Sequence, residues 1–309
     1  MILIHISGGM GNQMLMYAAG LSTAKRLNTE LFLSTPLSRK TGEEADLMNR
    51  DNRAYCLDCF PNIDEKEASF KDVIHSSFWL MVNFLIHRRK IEMRDIFKRL
   101  LRKIIAKFNL GYYAQNPEKY GQSYNPEFEK IPDNTLVWGV WESEKHFKNI
   151  AGLVRQKFTF DEKCFDKKLL AQVQNCNSVA LHVRRGDKAI LDVHTPSTDE
   201  YIKLAVEKIY ELTKEPEFFV FSDDLDWCRE ILPKIRDINW HFIENQTPPQ
   251  DMALMTKCKH VIVAPSTFSW WGAWLNDNPD KIIIAPKMSR WGKVQEGNRD
   301  LLPENWIKL

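Results

Sequence analysis

Val179-Ala180-Leu181-His182-Val183-Arg184-Arg185-Gly186-Asp187 is an apolar strand that ends in two arginines, a glycine and an aspartate. Side chains alternate between the two faces of a strand, so His182 and Arg184 share one face while Leu181 and Val183 pack on the other. Arg185, Gly186 and Asp187 then fall in the turn past the carboxyl end, the edge at which open α/β sheets hold ligands. An arginine fork there suits an oxygen-rich anion such as a diphosphate, because planar guanidinium donors match phosphate geometry. A salt-bridge cluster at a domain edge would use the same residues.

Downstream the rhythm is regular. A helical pattern over 198–213 leads to a strand over 218–221 that ends in Ser222-Asp223-Asp224. A helix over 225–232 leads to a strand over 239–243 that ends in Glu244-Asn245. A helix over 250–258 leads to a strand over 261–264, then Pro265-Ser266-Thr267-Phe268-Ser269, a short helix over 270–275 and a strand over 281–285. Five strands alternating with helices predict a parallel, doubly wound sheet. Polar clusters follow the carboxyl ends of successive strands, a register that scattered surface polars would not show. The hydroxyls of Ser266, Thr267 and Ser269, with the helix start behind them, resemble an anion cradle; helix capping by Ser266 or Thr267 needs no ligand. Adjacent side chains diverge in an extended segment, so Asp223 or Asp224 is read as a base or ribose contact rather than as half of a metal pair.

At the amino end, Ile2–Ile6 reads as a strand, Ser7–Gly11 as a tight loop, Asn12–Leu27 as a helix and Leu31–Leu33 as a second strand. This is a βαβ unit, but Met14 stands where a dinucleotide fingerprint needs its third glycine. The loop offers close backbone approach, helix N–H groups and the amides of Asn12 and Gln13; a structural turn explains it equally. Residues 36–70 read as irregular. Apolar residues at helical spacing over Ile91–Phe108 predict an amphipathic helix, and Arg88–Lys107 holds nine basic residues against two acids. That face suits an anionic membrane surface, although a solvated face over the core is the better reading. Trp138-Gly139-Val140-Trp141-Glu142-Ser143 is an aromatic turn that could border a sugar or pack in the core.

With 43 Lys and Arg against 41 Asp and Glu, the net charge of +2 gives no global field for nucleic acid. No apolar run reaches the ~18–20 residues of a membrane span, and Met1–Ile6 reads as a buried strand rather than a leader. Six cysteines in 309 residues suit a reducing compartment. Cys56 and Cys59 have CxxC spacing, but no second pair follows at metal-ligand distance. The length predicts two domains, divided at 175/176 where the regular strands begin.

Taken together, Gly8-Gly9-Met10-Gly11-Asn12-Gln13, His182–Asp187, Phe221–Asp224, Asp251–Met255, Cys258–His260 and Ser266–Leu275 resemble the α-1,2-fucosyltransferases of glycosyltransferase family 11. The resemblance runs in order and spacing from residue 8 to 275. It implies an α/β, GT-B-like fold, two Rossmann-like domains facing a cleft: residues 1–175 on the acceptor side, with the basic helix, and 176–309 binding GDP-fucose. The implied reaction is an inverting, metal-independent transfer of L-fucose from GDP-β-L-fucose to the 2-hydroxyl of a terminal galactose, on an oligosaccharide or surface glycan. No cofactor and no nucleic acid partner are expected, and the setting is the cytoplasm, with the inner face of the membrane as an option. By the same resemblance Arg184, with Arg185, holds the donor β-phosphate. Asn12 faces the donor from the amino domain, and His182, Asp223, Ser266, Thr267, Phe268 and Ser269 lie around nucleoside and phosphates. Asp187 is the first candidate base for the acceptor hydroxyl, or else a structural partner of an arginine. One departure is visible: Ala264-Pro265-Ser266 stands where Ala-Asn-Ser is expected, and Pro265 removes a backbone N–H. The rivals are a GDP-fucosyltransferase of another linkage and a non-catalytic nucleotide- or glycan-binding protein.

Overall fold

A computed structural model of the chain describes residues 1–35, 54–68, 111–115, 124–185, 197–287 and 300–309. The expected basic helix over 91–108 lies outside the described residues, as does most of the irregular stretch 36–70. Among the described residues, no helix is long and apolar enough to cross a membrane.

Two compact units form. One comprises Met1–Tyr55, Asp64–Tyr120 and Tyr124–Val154, the other Cys56–Ile63, Gly121–Ser123 and Arg155–Leu309. The boundary expected at 175/176 therefore falls earlier in the chain. Aromatic packing draws the preceding residues into the second unit: Arg155 lies 4.1 Å over the Trp274 ring, and Phe158 meets Trp271 edge-on at 5.0 Å. Phe60 joins the same cluster, 4.9 Å from Phe158 and 4.8 Å from Phe160. Such contacts between distant residues leave no periodic trace in the sequence.

In the first unit, β1 (Ile2–His5), α1 (Met10–Arg26) and β2 (Leu31–Ser34) make the expected βαβ unit. Together with β3 (Lys66–Glu67), β4 (Gly111–Ala114) and β5 (Thr135–Trp138) they form a parallel sheet in the order β3-β2-β1-β5-β4. Helix α1 buries Met14, Leu15, Ala18 and Leu21. Its Gly20 lies so close to the strand that an added Cβ would stand 2.8 Å from Ile4 Cβ. Ile4 therefore faces α1, and by strand alternation His5 points to the opposite face.

The long segment of the second unit, from Arg155, begins with the end of α2 (Ala151–Lys157) and with α3 (Lys167–Asn175), whose first N–H groups at Lys168 and Leu169 donate to Asp166 Oδ1 at 2.9 Å. Then β6 (Asn177–Val183), α4 (Asp199–Leu212), β7 (Pro216–Ser222), α5 (Leu225–Ile235), β8 (Trp240–Phe242), α6 (Pro248–Met255), β9 (His260–Ile262), α7 (Thr267–Leu275), β10 (Ile283–Ala285) and β11 (Ile307–Lys308) alternate as the apolar rhythm predicts. The sheet is parallel in the order β11-β10-β9-β6-β7-β8. On one face Val179, Leu181 and Val183 pack with Ile202, Val206 and Ile209 of α4 and Cys228 and Leu232 of α5, all buried. Each aliphatic side chain so buried is worth roughly 1.5–3 kcal/mol. The chain runs outward from β6 through β7 to β8, then returns to lay β9 on the other side of β6. Order reverses between β6 and β9, so the loops after these strands part there, which is where doubly wound sheets take ligands.

Candidate active site

The carboxyl edge of the second sheet carries the charged cluster. Strands β6 and β7 pair in register up to Val183 opposite Ser222, so Arg184-Arg185 and Asp223-Asp224 leave the sheet side by side. Arg184 Nη1 is ion-paired with Asp223 Oδ2, and the Arg185 backbone N–H donates to Asp223 Oδ1 at 2.9 Å. Asp224 Oδ1 accepts the Trp227 N–H at 3.2 Å and caps α5, while its Oδ2 lies 3.7 Å from Arg185 Nε. The guanidinium of Arg185 lies 4.1 Å over the Trp227 ring and donates from Nη1 to the Ser197 carbonyl at 3.3 Å. The two adjacent acids thus diverge to different partners, as extended backbone requires.

Ser197, which the sequence reading passed over, is the fixed point behind this edge. Its buried Oγ accepts the Arg184 N–H at 3.1 Å, and its own N–H donates to the Arg184 carbonyl at 3.0 Å. Gly186 and Asp187 lie outside the described residues.

Across the switch point stands the start of α7. Ser266 caps it by accepting the Phe268 N–H at 3.3 Å. Ser269 is fully buried, and its Oγ accepts the Ala264 N–H at 3.1 Å, so this hydroxyl fixes the turn itself. Thr267 is buried, while Ser266 and Phe268 remain half-exposed at the helix start. His182, on the face opposite Leu181, lies with its ring 5.5 Å from that of Phe268. His182 near the end of β6 and Arg184 just past it are thereby brought to one edge with Ser266 and Phe268, which follow β9. The tryptophans that follow are packing: Trp270 Nε1 donates to the Leu301 carbonyl at 2.9 Å, and a Cβ on Gly272 would stand 3.1 Å from Met255 Cβ.

The first unit has its own reversal, between β1 and β5. Gly8, at φ +75°, makes the turn after β1, and Gln13 Nε2 braces it through the Gly8 and Ala54 carbonyls, each at 2.8 Å. Asn12 is half-exposed in the first turn of α1, beside Gly8. Of the two amides, Gln13 is consumed by the turn. At the end of β5, Trp138 stacks on His5 with centroids 3.8 Å apart, half-exposed, whereas Trp141, past the strand, is buried against Tyr113, Phe128 and His146.

Residues 77–309 match the model of glycosyl transferase family 11. The chain belongs to glycosyltransferase family 11. The alpha-1,2-colitosyltransferase of Escherichia coli is 30% identical, over 100% of this chain and 98% of that protein. The O-antigen biosynthesis glycosyltransferase WbnK, also of Escherichia coli, is 28% identical over 98% of this chain and 99% of that protein. Galactoside alpha-(1,2)-fucosyltransferase 1 of Bos taurus is 33% identical over 42% of this chain and 38% of that protein. The fold is similar to that of an Arabidopsis thaliana FUT1 mutant solved in complex with GDP, with a TM-score of 0.50 at 12% identity over 92% of this chain and 70% of that one.

Within this glycosyltransferase one further group stands out that the sequence reading quoted but gave no role. Asp251 lies in the first turns of α6, which starts at the carboxyl edge because it follows β8. Its Oδ1 is buried with no hydrogen-bond partner among the described residues, and burial raises the carboxyl from 3.8 to about 7. A perturbed acid at the ligand edge is a candidate site group. Its sequence signal is a lone acid before Met252-Ala253-Leu254-Met255. The CxxC cysteines show no comparable promise: Cys59 is pushed upward by burial beside Cys164 and Cys56, which keeps the thiol protonated. Among the described residues no group of three or more His, Cys, Asp or Glu is arranged to hold a metal ion.

Proposed function

We propose that this family 11 glycosyltransferase moves L-fucose from GDP-β-L-fucose to the 2-hydroxyl of a terminal galactose, with inversion and without a divalent metal. The observation that carries this reading is the place of Arg184, at the carboxyl end of the strand where the sheet order reverses. Displacement at the fucose anomeric carbon passes through an oxocarbenium-like state while negative charge grows on the departing diphosphate. A guanidinium and the N–H groups at the start of α7 are suited to that charge. His182 and Phe268 are then the groups nearest to the rest of the nucleotide, and Asp187 is the proposed base. Asn12 is a proposed donor contact, and the proposed acceptor is a free oligosaccharide or a surface glycan. We place the reaction in the cytoplasm, because the six cysteines carry thiols.

A second donor is favoured by one observation: a relative that is 30% identical and matched over 98% of its length is named a colitosyltransferase. Colitose is 3-deoxy-L-fucose, so the same leaving group and anomeric centre are involved. The test is incubation of the purified chain with GDP-fucose or GDP-colitose and a panel of β-galactosides, with product linkage read by NMR. Fucosyl transfer to the galactose 2-hydroxyl is expected. Faster transfer of colitose overturns the donor assignment, and another linkage overturns the acceptor position. Nucleotide binding without transfer or hydrolysis supports a non-catalytic binder.

A further inference from the structure

We propose that Asp223 is a positioning residue: it holds the Arg184 guanidinium in place for the donor diphosphate and does not contact the nucleoside. This rests on the functional reading above and assigns a role within that site.

Two arginines and two aspartates stand side by side where β6 and β7 end, but the four do not behave alike. The outer pair is built into the start of α5. Asp224 caps that helix through the Trp227 N–H, and Arg185 is held by the Trp227 ring, the Ser197 carbonyl and the Asp224 carboxylate. The inner pair is arranged differently. Asp223 Oδ1 takes the Arg185 backbone N–H at 2.9 Å, and that donor moves only if the strand end moves. With one oxygen pinned to backbone, the other is fixed in space, and it is this oxygen that pairs with Arg184 Nη1. Arg184 is in turn pinned at its own backbone by Ser197. The guanidinium is thereby held at both ends, by its main chain and by its Nη1.

Both carboxylate oxygens of Asp223 already hold the end of β6, one on the Arg185 backbone N–H and the other on Arg184 Nη1. A guanidinium has five N–H donors in a planar fork, and a carboxylate on Nη1 sets the plane in which the others lie. Removing the Asp223 charge leaves the charge of Arg184 intact but not its orientation. Attraction for a diphosphate then persists, and even gains from the loss of a competing anion. Stabilisation of the leaving group, which depends on aligned donors, falls.

Asp223→Asn tests this in the full chain, since the amide oxygen can still take the Arg185 N–H while the amide NH2 cannot accept from Arg184. The expected result is a kcat for sugar transfer lower by roughly 10- to 100-fold, with no rise in donor KM and unchanged inhibition by guanosine and GMP. Arg184→Lys, which keeps charge without the fork, should add little to Asp223→Asn in the double variant, because the two residues act as one unit. Weakened inhibition by guanosine and GMP would show a nucleoside contact and overturn the proposal, and so would a parental kcat. If Asp223→Asn fails to fold, Asp223→Glu displaces the same charge by one methylene, and a parental kcat there overturns the proposal equally. Absence of transfer by the parent chain overturns the functional reading itself, whereas an active parent with a parent-like variant overturns only the positioning role.

Discussion

Asp251→Asn should make the protein more stable, and more so as the pH rises. The native carboxyl sits at about 7 instead of 3.8 because burial disfavours its charged form. Between those two values the folded state holds a proton that the unfolded chain has released, so stability falls as the pH rises from about 4 to 7 and is flat above. A displacement of that size corresponds to roughly 4 kcal/mol once the group is ionised in both states. The start of α6 favours a carboxylate by about 0.3–1 kcal/mol, and water reaching a partly buried group lowers the cost further, so about 2 kcal/mol is the expected net effect. Asparagine keeps the shape without the titration. Urea unfolding of parent and variant at pH 4.5 and pH 8 should therefore give a stability difference that grows by about 2 kcal/mol in favour of the variant. A difference that is constant across that range would refute the argument that burial holds this carboxyl near neutrality.

Gly20→Ala should destabilise the first unit by about 1–2 kcal/mol in urea unfolding, because overpacking against Ile4 at 2.8 Å outweighs the gain in helix propensity; a stabilised variant would mean that α1 and β1 separate freely. Asp224→Ala should cost about 1–2 kcal/mol of stability through loss of the α5 cap, read as a lower denaturant midpoint at unchanged slope, and an unchanged midpoint would contradict it. Sugar transfer should survive EDTA unaltered; loss restored by added Mg²⁺ or Mn²⁺ would overturn the metal-free reading.

The alternation of strands and helices was legible from Val179 onward because each strand is a short apolar run and each helix has an apolar face, periodicities that local sequence carries. Strand β11, two residues long and held by the Leu309 N–H on the Ala285 carbonyl at 3.0 Å, has no such run to betray it. The carboxyl-edge clusters were legible as a list of loops, but not as contacts. That Asp223 faces Arg184 follows from the register of β6 with β7, which depends on packing between segments about forty residues apart. Likewise Gln13 reads as a donor to a ligand until Ala54 supplies the second carbonyl that occupies it. Asp251 was hidden for the opposite reason, since an acid in the first turn of a helix is an ordinary sight and only its burial makes it unusual.

The account depends on Arg184 as the cation that receives the leaving diphosphate. Its most direct test is the rate of fucosyl transfer from GDP-fucose to a β-galactoside by the parent chain and by Arg184→Ala, compared at matched melting temperatures. A loss of about 100-fold or more is expected if one aligned donor group is removed from the developing charge. Transfer within a few-fold of the parent rate would take Arg184 out of the site and contradict the account.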